Sequence, residues 1–279
     1  MYLGQRNVDS IGGCVPTIGA MPLDPPFQFP EVAPGEDLVL SASTFVTFEQ
    51  CPEQAAGRMR GSYGPESRSS FVGGLAHRIF ARHLTSGPIA DFGAACREEI
   101  GGSMNPKLAA LGLKPSQLAG VIEDVSGLYD RFKTLQADGF VGAEVALESD
   151  PAPGVVLRGS VDAVFDDEGG VRLVDWKTGN LGDPESQLAF YALLWAMEKG
   201  DIPALLEAVS IKTGERSESV PSRELVDDTA TRAAQAIDAL RISWGSADSL
   251  ERVAGPWCRW CPLLDECSEG RAAVALLDG

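Results

Sequence analysis

The feature that most constrains this chain is a pair of Val- and Leu-rich runs, VVLRGSVDAVFD and VRLVDWKTG, joined by the turn DEGG. Runs of that composition bounded by turn residues read as the two strands of an antiparallel hairpin. A turn centred near Glu168 puts Asp162 roughly opposite Val174, beside Asp175. Lys177 stands two residues beyond Asp175, and alternating side chains put both on one side of the sheet. Two carboxylates and an ammonium therefore converge. Both acids interrupt apolar runs, SVDAVF and RLVDWK, where an unpaired carboxylate is costly unless a cation or hydrogen bonds compensate it. A divalent cation answers that cost: magnesium takes one or two carboxylates and fills its octahedron with water and substrate phosphate. Lys177 would then position or deprotonate the attacking water, or steady charge developing on phosphorus. A structural Asp–Lys pair at a sheet end also fits these residues.

The surroundings of the hairpin are legible in outline. Residues 1–38 (GAMPLDPPFQFPEVAPGED within them) are rich in Gly, Pro and isolated acids and read as an extended arm, leaving 39–279 as one domain. SASTFVTFEQCPEQ starts a helix capped by Ser41 or Ser43, with Phe45 and Phe48 at helical spacing and Cys51 near its end. FVGGLAHRIFARHL is a second helix with Leu75 and Ile79 on its stripe and His77 off it. A loop-broken stretch (91–117) and a longer helix (about 116–137) precede a strand, VGAEVALES, that completes a meander with the hairpin. QLAFYALLWAMEKG reads as a helix, LLEAVSIKTGE as one further strand, and DDTATRAAQAIDALRISW as an amphipathic helix leading to a cysteine cluster at 256–268.

Net charge narrows the partners. With 23 Lys and Arg against 40 Asp and Glu, a formal charge of -17 excludes a protein that coats nucleic acid by bulk attraction, because phosphate binding rests on cations displacing counterions. Any such contact is local. Arg58, Arg60, Arg68, Arg78 and Arg82 run against the overall sign, with Glu66 the one acid among them; the bland alternative is a mixed solvated face. No long uncharged apolar run and no signal-peptide pattern appears, so the expectation is a soluble, cytoplasmic protein without a membrane.

Of the six cysteines, Cys258, Cys261 and Cys267 fall at C-x2-C-x5-C in PWCRWCPLLDEC, and Cys51 lies far upstream in EQCPEQ. Four thiolates of this kind can satisfy zinc or an iron–sulfur cluster. Cys14 and Cys96 stand alone and read as ordinary reduced cysteines.

The hairpin carrying Asp162 and the triplet Asp175-Trp176-Lys177 resembles the PD-(D/E)XK nuclease superfamily. Gly73-x-x-x-His77 before it and Gln187-x-x-x-Tyr191 after it resemble the RecB-like branch. The four cysteines resemble, in order, the iron–sulfur staple of AddB-type and CRISPR-associated RecB-like exonucleases. The likeness runs over about residues 41–270. It implies an α/β fold, a restriction-endonuclease-like mixed sheet flanked by helices, with a helical cap stapled by a 4Fe-4S cluster on Cys51, Cys258, Cys261 and Cys267, zinc being the alternative. It implies Mg2+ or Mn2+ held by His77, Asp162, Asp175 and the Trp176 backbone carbonyl, with Lys177 catalytic, Gln187 and Tyr191 facing DNA, and Glu144 an additional acid. Two departures stand out: Val161 rather than Pro precedes the first acid, and no acid follows His77 within a turn. The implied activity is a metal-dependent deoxyribonuclease, an exonuclease on single-stranded ends, with Tyr191, Trp257 and Trp260 as stacking surfaces and protein partners from a repair, phage-replication or CRISPR complex. The competing reading is a non-catalytic iron–sulfur DNA-binding or assembly subunit.

Overall fold

The computed structural model describes residues 28–32, 37–101, 106–246 and 248–278. Most of the expected arm, and Cys14 with it, lies outside these residues.

The chain opens with strand β1 (Leu38–Ser41) and helices α1 (Ala42–Gln50) and α2 (Pro52–Met59). Ser41 caps α1, its Oγ accepting from the Thr44 N–H at 3.1 Å, and Pro52 starts α2 where a missing N–H costs nothing. Ser67 caps α3 (Arg68–Ser86) in the same way. The loop-broken stretch holds α4 (Phe92–Ile100) and α5 (Pro106–Leu111), and the long helix α6 (Pro115–Phe132) stops five residues short of its expected end.

The meander then forms: β2 (Phe140–Ala152), β3 (Val155–Asp167) and β4 (Gly170–Lys177). Helix α7 (Glu185–Lys199) crosses to β5 (Leu205–Ser210), which lies parallel to β4. LLEAVSIKTGE is not one strand. Its KTG turns the chain back, and β6 (Arg216–Ser219) pairs antiparallel with β5. Helix α8 (Arg223–Ser246), two 3-10 turns (Pro256–Trp260 and Leu264–Glu266) and α9 (Ser268–Asp278) complete the chain.

β3 organises the sheet. β2 pairs along one edge, while β1, in parallel, and β4, antiparallel, share the other. The β1 ladder ends at Arg158 and the β4 ladder at Ala163, so Gly159–Asp162 faces a fork between two strands. Gly159 lets α7 come close there: a Cβ would stand 3.0 Å from side-chain atoms of both Tyr191 and Leu194. Two apolar cores cover the sheet. Leu157, Val161, Leu173 and Leu206 pack with α1, α7 and α8, and Ala163, Phe165, Val174 and Trp176 pack with α3, α4 and α6. Val161 and Ala163 have the same parity yet enter opposite cores, so β3 changes face at Asp162.

The described end of the expected arm is docked. Phe29 is buried in the α7 core, and Val32 N–H donates to Pro153 O at 3.0 Å. Leu38, assigned to the arm, starts β1 and is fully buried. No described helix is long and apolar enough to cross a membrane.

Candidate active site

The hairpin turn is DEGG, as expected, with Asp167 paired to Gly170, but the register differs by one residue, so Ala163 rather than Asp162 faces Val174. Asp162 gains from this register. At the fork, where the ladder has ended, its Oδ2 accepts the Trp176 N–H at 2.6 Å, and its Oδ1 lies 2.9 Å from His77 Nδ1 on α3. A side chain thus completes the hydrogen bonding the splayed strands leave open.

Glu144 enters from the other edge. Ala143 pairs with Ala163 and Val145 with Val161, which sets Glu144 opposite Asp162. Its φ of 50° is the one left-handed backbone at a non-glycine among the described residues, a conformation costing roughly 1–3 kcal/mol that clusters at functional sites. Here it coincides with the change of face in β3. Ligand atoms of His77, Glu144 and Asp162 all lie within 4.8 Å of one another, a spacing suited to one cation.

Asp175 lies beside this group and has separate restraints. Its Oδ2 is 2.8 Å from Lys177 Nζ, an ion pair whose angle leaves that buried oxygen without a formal hydrogen bond, and its Oδ1 accepts from Gln187 Nε2 at 2.9 Å. Gln187 Oε1 in turn accepts from Lys177 Nζ at 2.5 Å, and Gln187 Nε2 reaches the Tyr191 hydroxyl at 2.7 Å. One amide therefore ties acid, lysine and tyrosine together. Trp176, between the two charged residues, points the opposite way and packs edge-on against Phe132, 5.4 Å between centroids.

The electrostatics follow from crowding. Burial pushes the Asp175 carboxyl up to about 6 against the pull of Lys177, with Asp162 adding to the rise. Burial draws His77 down, but the hydrogen bond and charge of Asp162, with Asp175 and Glu144, outweigh it and raise the imidazole. Loss of solvent and the charge of Asp162 raise Glu144. Burial and then the two aspartates hold Tyr191 far above the usual phenol range. Like charges gathered at this density are what a divalent cation relieves. The residues therefore fit a divalent metal.

Two expectations change. Tyr191 is buried, with its hydroxyl turned to Gln187, so it offers no stacking face; Gln187 points at Lys177 and Asp175 instead of outward. The arginine-rich stretch does not make a basic patch either. Arg60 pairs with Glu53, Arg68 with Asp124, Arg78 with Glu99 and Arg82 with Glu98, while Arg58 donates to Ser43 O at 3.4 Å. Trp260 is 75% exposed.

Sequence reasoning did not find the supports behind these residues. Ser210, buried at the end of β5, donates to Gly179 O at 2.6 Å, and Ile211 N–H donates to Lys177 O at 2.8 Å, pinning the loop that follows the lysine. The only signal was a lone serine closing an apolar strand.

Cys51 and the three cysteines at 258–267 come from opposite ends of the domain. Cys51 joins α1 to α2, and Glu53 N–H donates to Glu251 O at 3.1 Å, bringing α2 against the segment before Cys258. Burial raises the Cys261 thiol, and Cys51, Cys258 and Cys267 raise it further, so all four are within electrostatic reach. Backbone N–H groups of Gly255 and Gly270 point at the sulfurs of Cys258 and Cys267, 3.4 and 3.3 Å away. A Cβ on Gly270 would stand 3.3 Å from Cys267 Sγ and 3.6 Å from Cys258 Sγ, filling the space between them. Among the described residues no three of the sulfurs come within 4.8 Å of one another. Cys96 is buried in the α3 core, its thiol pushed up to about 11 by burial.

The sequence matches the PD-(D/E)XK nuclease superfamily over residues 39–268, and the chain belongs to that superfamily. A candidate exonuclease from Eubacterium rectale has a similar fold, with a TM-score of 0.55 at 13% identity over 82% of this chain and 87% of its own. The protein SSO0001 aligns over 85% of this chain and 88% of its own at 14% identity, with a TM-score of 0.39. No curated protein matches the chain in sequence.

Proposed function

We propose that the chain is a RecB-like, metal-dependent deoxyribonuclease that removes nucleotides from single-stranded DNA ends. The observation that carries the reading is the convergence of His77, Glu144 and Asp162 within 4.8 Å beside the Asp175–Lys177–Gln187 chain. The first three, with Asp175, would hold Mg2+ or Mn2+. Such an ion supplies positive charge at the scissile phosphate and lowers the pKa of water bound to it. The chain's own groups do the rest. Lys177 Nζ, set between two oxygen acceptors, is aimed to donate and steadies negative charge as it grows on the phosphoryl oxygens. Gln187 positions Lys177, and Tyr191 positions Gln187. Trp176 N–H holds the Asp162 carboxylate in line.

The cysteines would carry a 4Fe-4S staple. What supports this reading is the order of Cys51, Cys258, Cys261 and Cys267 along the chain and their mutual electrostatic reach, with tetrahedral zinc the alternative.

The test is degradation of end-labelled single-stranded DNA with Mg2+ or Mn2+. Lys177→Ala is expected to cut the rate on the order of 10²–10³-fold. Undiminished cutting by that variant would remove Lys177 from the site.

A further inference from the structure

Three cavities adjoin one another and make a single groove. The first, about 620 Å³, is lined by Arg68, Val72, Arg131, Thr178, Gly179 and Lys212 among others. A second, about 400 Å³, shares Arg131 and Lys212 with it. The third, about 540 Å³, shares Thr134, Leu135 and Arg216 with the second and adds Arg172. The groove starts beside the residues that follow Lys177, where α3 approaches so closely that a Cβ on Gly73 would stand 3.0 Å from Thr178 Oγ1. It runs out between the end of α6 and the β5–β6 turn.

We infer that this groove guides the phosphate backbone of a DNA strand to the acidic centre, an inference that rests on the nuclease reading above. In a chain with a net charge of -17, five cations, Arg68, Arg131, Lys212, Arg216 and Arg172, fall in sequence along one path. Four acids share the lining. Asp124 pairs with Arg68, and Glu207 with both Arg172 and Arg216, whereas Glu123 and Glu218 have no ion pair in the groove. Glu123 and Asp124 line the same cavity as Lys212 and Arg131, yet among the described residues neither cation makes an ion pair with them. Arg131 Nη1 donates to the Lys212 carbonyl at 2.5 Å, and the Lys212 ammonium is exposed on the turn.

That turn is fastened to the catalytic strand. Besides the Ile211–Lys177 and Ser210–Gly179 bonds, Thr213 N–H donates to Ser210 Oγ at 3.0 Å, so Lys212 is held in fixed register with Lys177. Cations prearranged in this way act on phosphates without sequence preference. They also explain how an acidic protein admits a polyanion: attraction is confined to one track, and the remaining surface repels.

The test is equilibrium binding of fluorescein-labelled oligo-dT to the full chain without divalent metal, repeated across a salt series. Lys212→Ala and Arg131→Ala are each expected to weaken binding and to flatten the slope of log affinity against log salt by about 0.7. Lys212→Arg is expected to restore the slope. Arg241→Ala on α8, a charge loss away from the groove, is expected to leave it unchanged. Unaltered affinity and slope in Lys212→Ala would overturn the inference and leave the nuclease reading untouched. Binding that follows the predicted slopes with no metal-dependent cutting would leave the groove and remove the nuclease reading.

Discussion

Glu144 holds a left-handed backbone in the middle of a strand, which a glycine would hold without strain. Glu144→Gly is therefore expected to keep or raise the unfolding midpoint while weakening Mn2+ binding, measured by calorimetry. Glu144→Gln keeps the strain and loses only the charge. Equal metal affinity in wild type and both variants would take Glu144 out of the site. Asp175 gives a pH signature. Folded and metal-free, it keeps its proton up to about pH 6, against an ordinary value of 3.8, so the folded state binds more protons than the unfolded one in between. Its contribution to stability is present in full below about pH 4 and is lost as pH rises through about 6. Metal competes for the same oxygens, so apparent metal affinity is expected to fall as pH drops below about 6; a flat titration from pH 7 to 5 would contradict this. Asp162, Asp175 and Lys177 were legible because charged residues inside apolar strands demand an explanation. Glu144 was weaker, since its role depends on a φ value that composition does not encode. Gln187 and Tyr191 entered through the resemblance, their spacing adding only that they share a helix face, and whether they faced inward or outward depended on how closely α7 approaches β3.

That approach is set at Gly159. Gly159→Leu is expected to push α7 from the fork, cost about 1–3 kcal/mol, and reduce turnover more than metal binding, because Gln187 and Tyr191 move with the helix. Full activity with native stability would mean the helix tolerates the wider spacing. The meander, α3 and α7 could be read from periodicity alone, since each is long and sharply patterned. β1 is only four residues and follows a Pro- and Gly-rich stretch, so nothing local distinguishes it from a linker; its pairing with β3 gives it a role. The β5–β6 turn was hidden for a different reason. Its alternation continues through the bend, and only Gly214, at φ 79°, marks the reversal.

On the scale of the molecule, the first helices and the segment after α8 close on each other. Glu53 joins them twice, its N–H donating to Glu251 O at 3.1 Å and its Oε2 accepting the Leu250 N–H at 2.7 Å, while its Oε1 holds Arg60; on α8, Arg232 pairs with Glu49 of α1. Protein purified without oxygen is expected to show iron–thiolate absorbance; Cys51→Ser is expected to bleach it and lower the unfolding midpoint by several degrees. Colourless protein carrying one zinc per chain would overturn the iron–sulfur reading. The order of the cysteines was plain in the sequence, but the fold partners that bring Cys51 to them, Glu53 and Glu251, were not, because long-range pairs leave no local pattern. Cys51 and Cys258 lie on either side of strands β2–β6 in chain order. At about 5–20 residues per second, a ribosome that has made Cys51 takes roughly 10–40 s to reach Cys258. Through that interval the first thiol has no partners, so a group held by all four thiols can enter only after Cys267 has been made, and Cys51 stands open to oxidants until then.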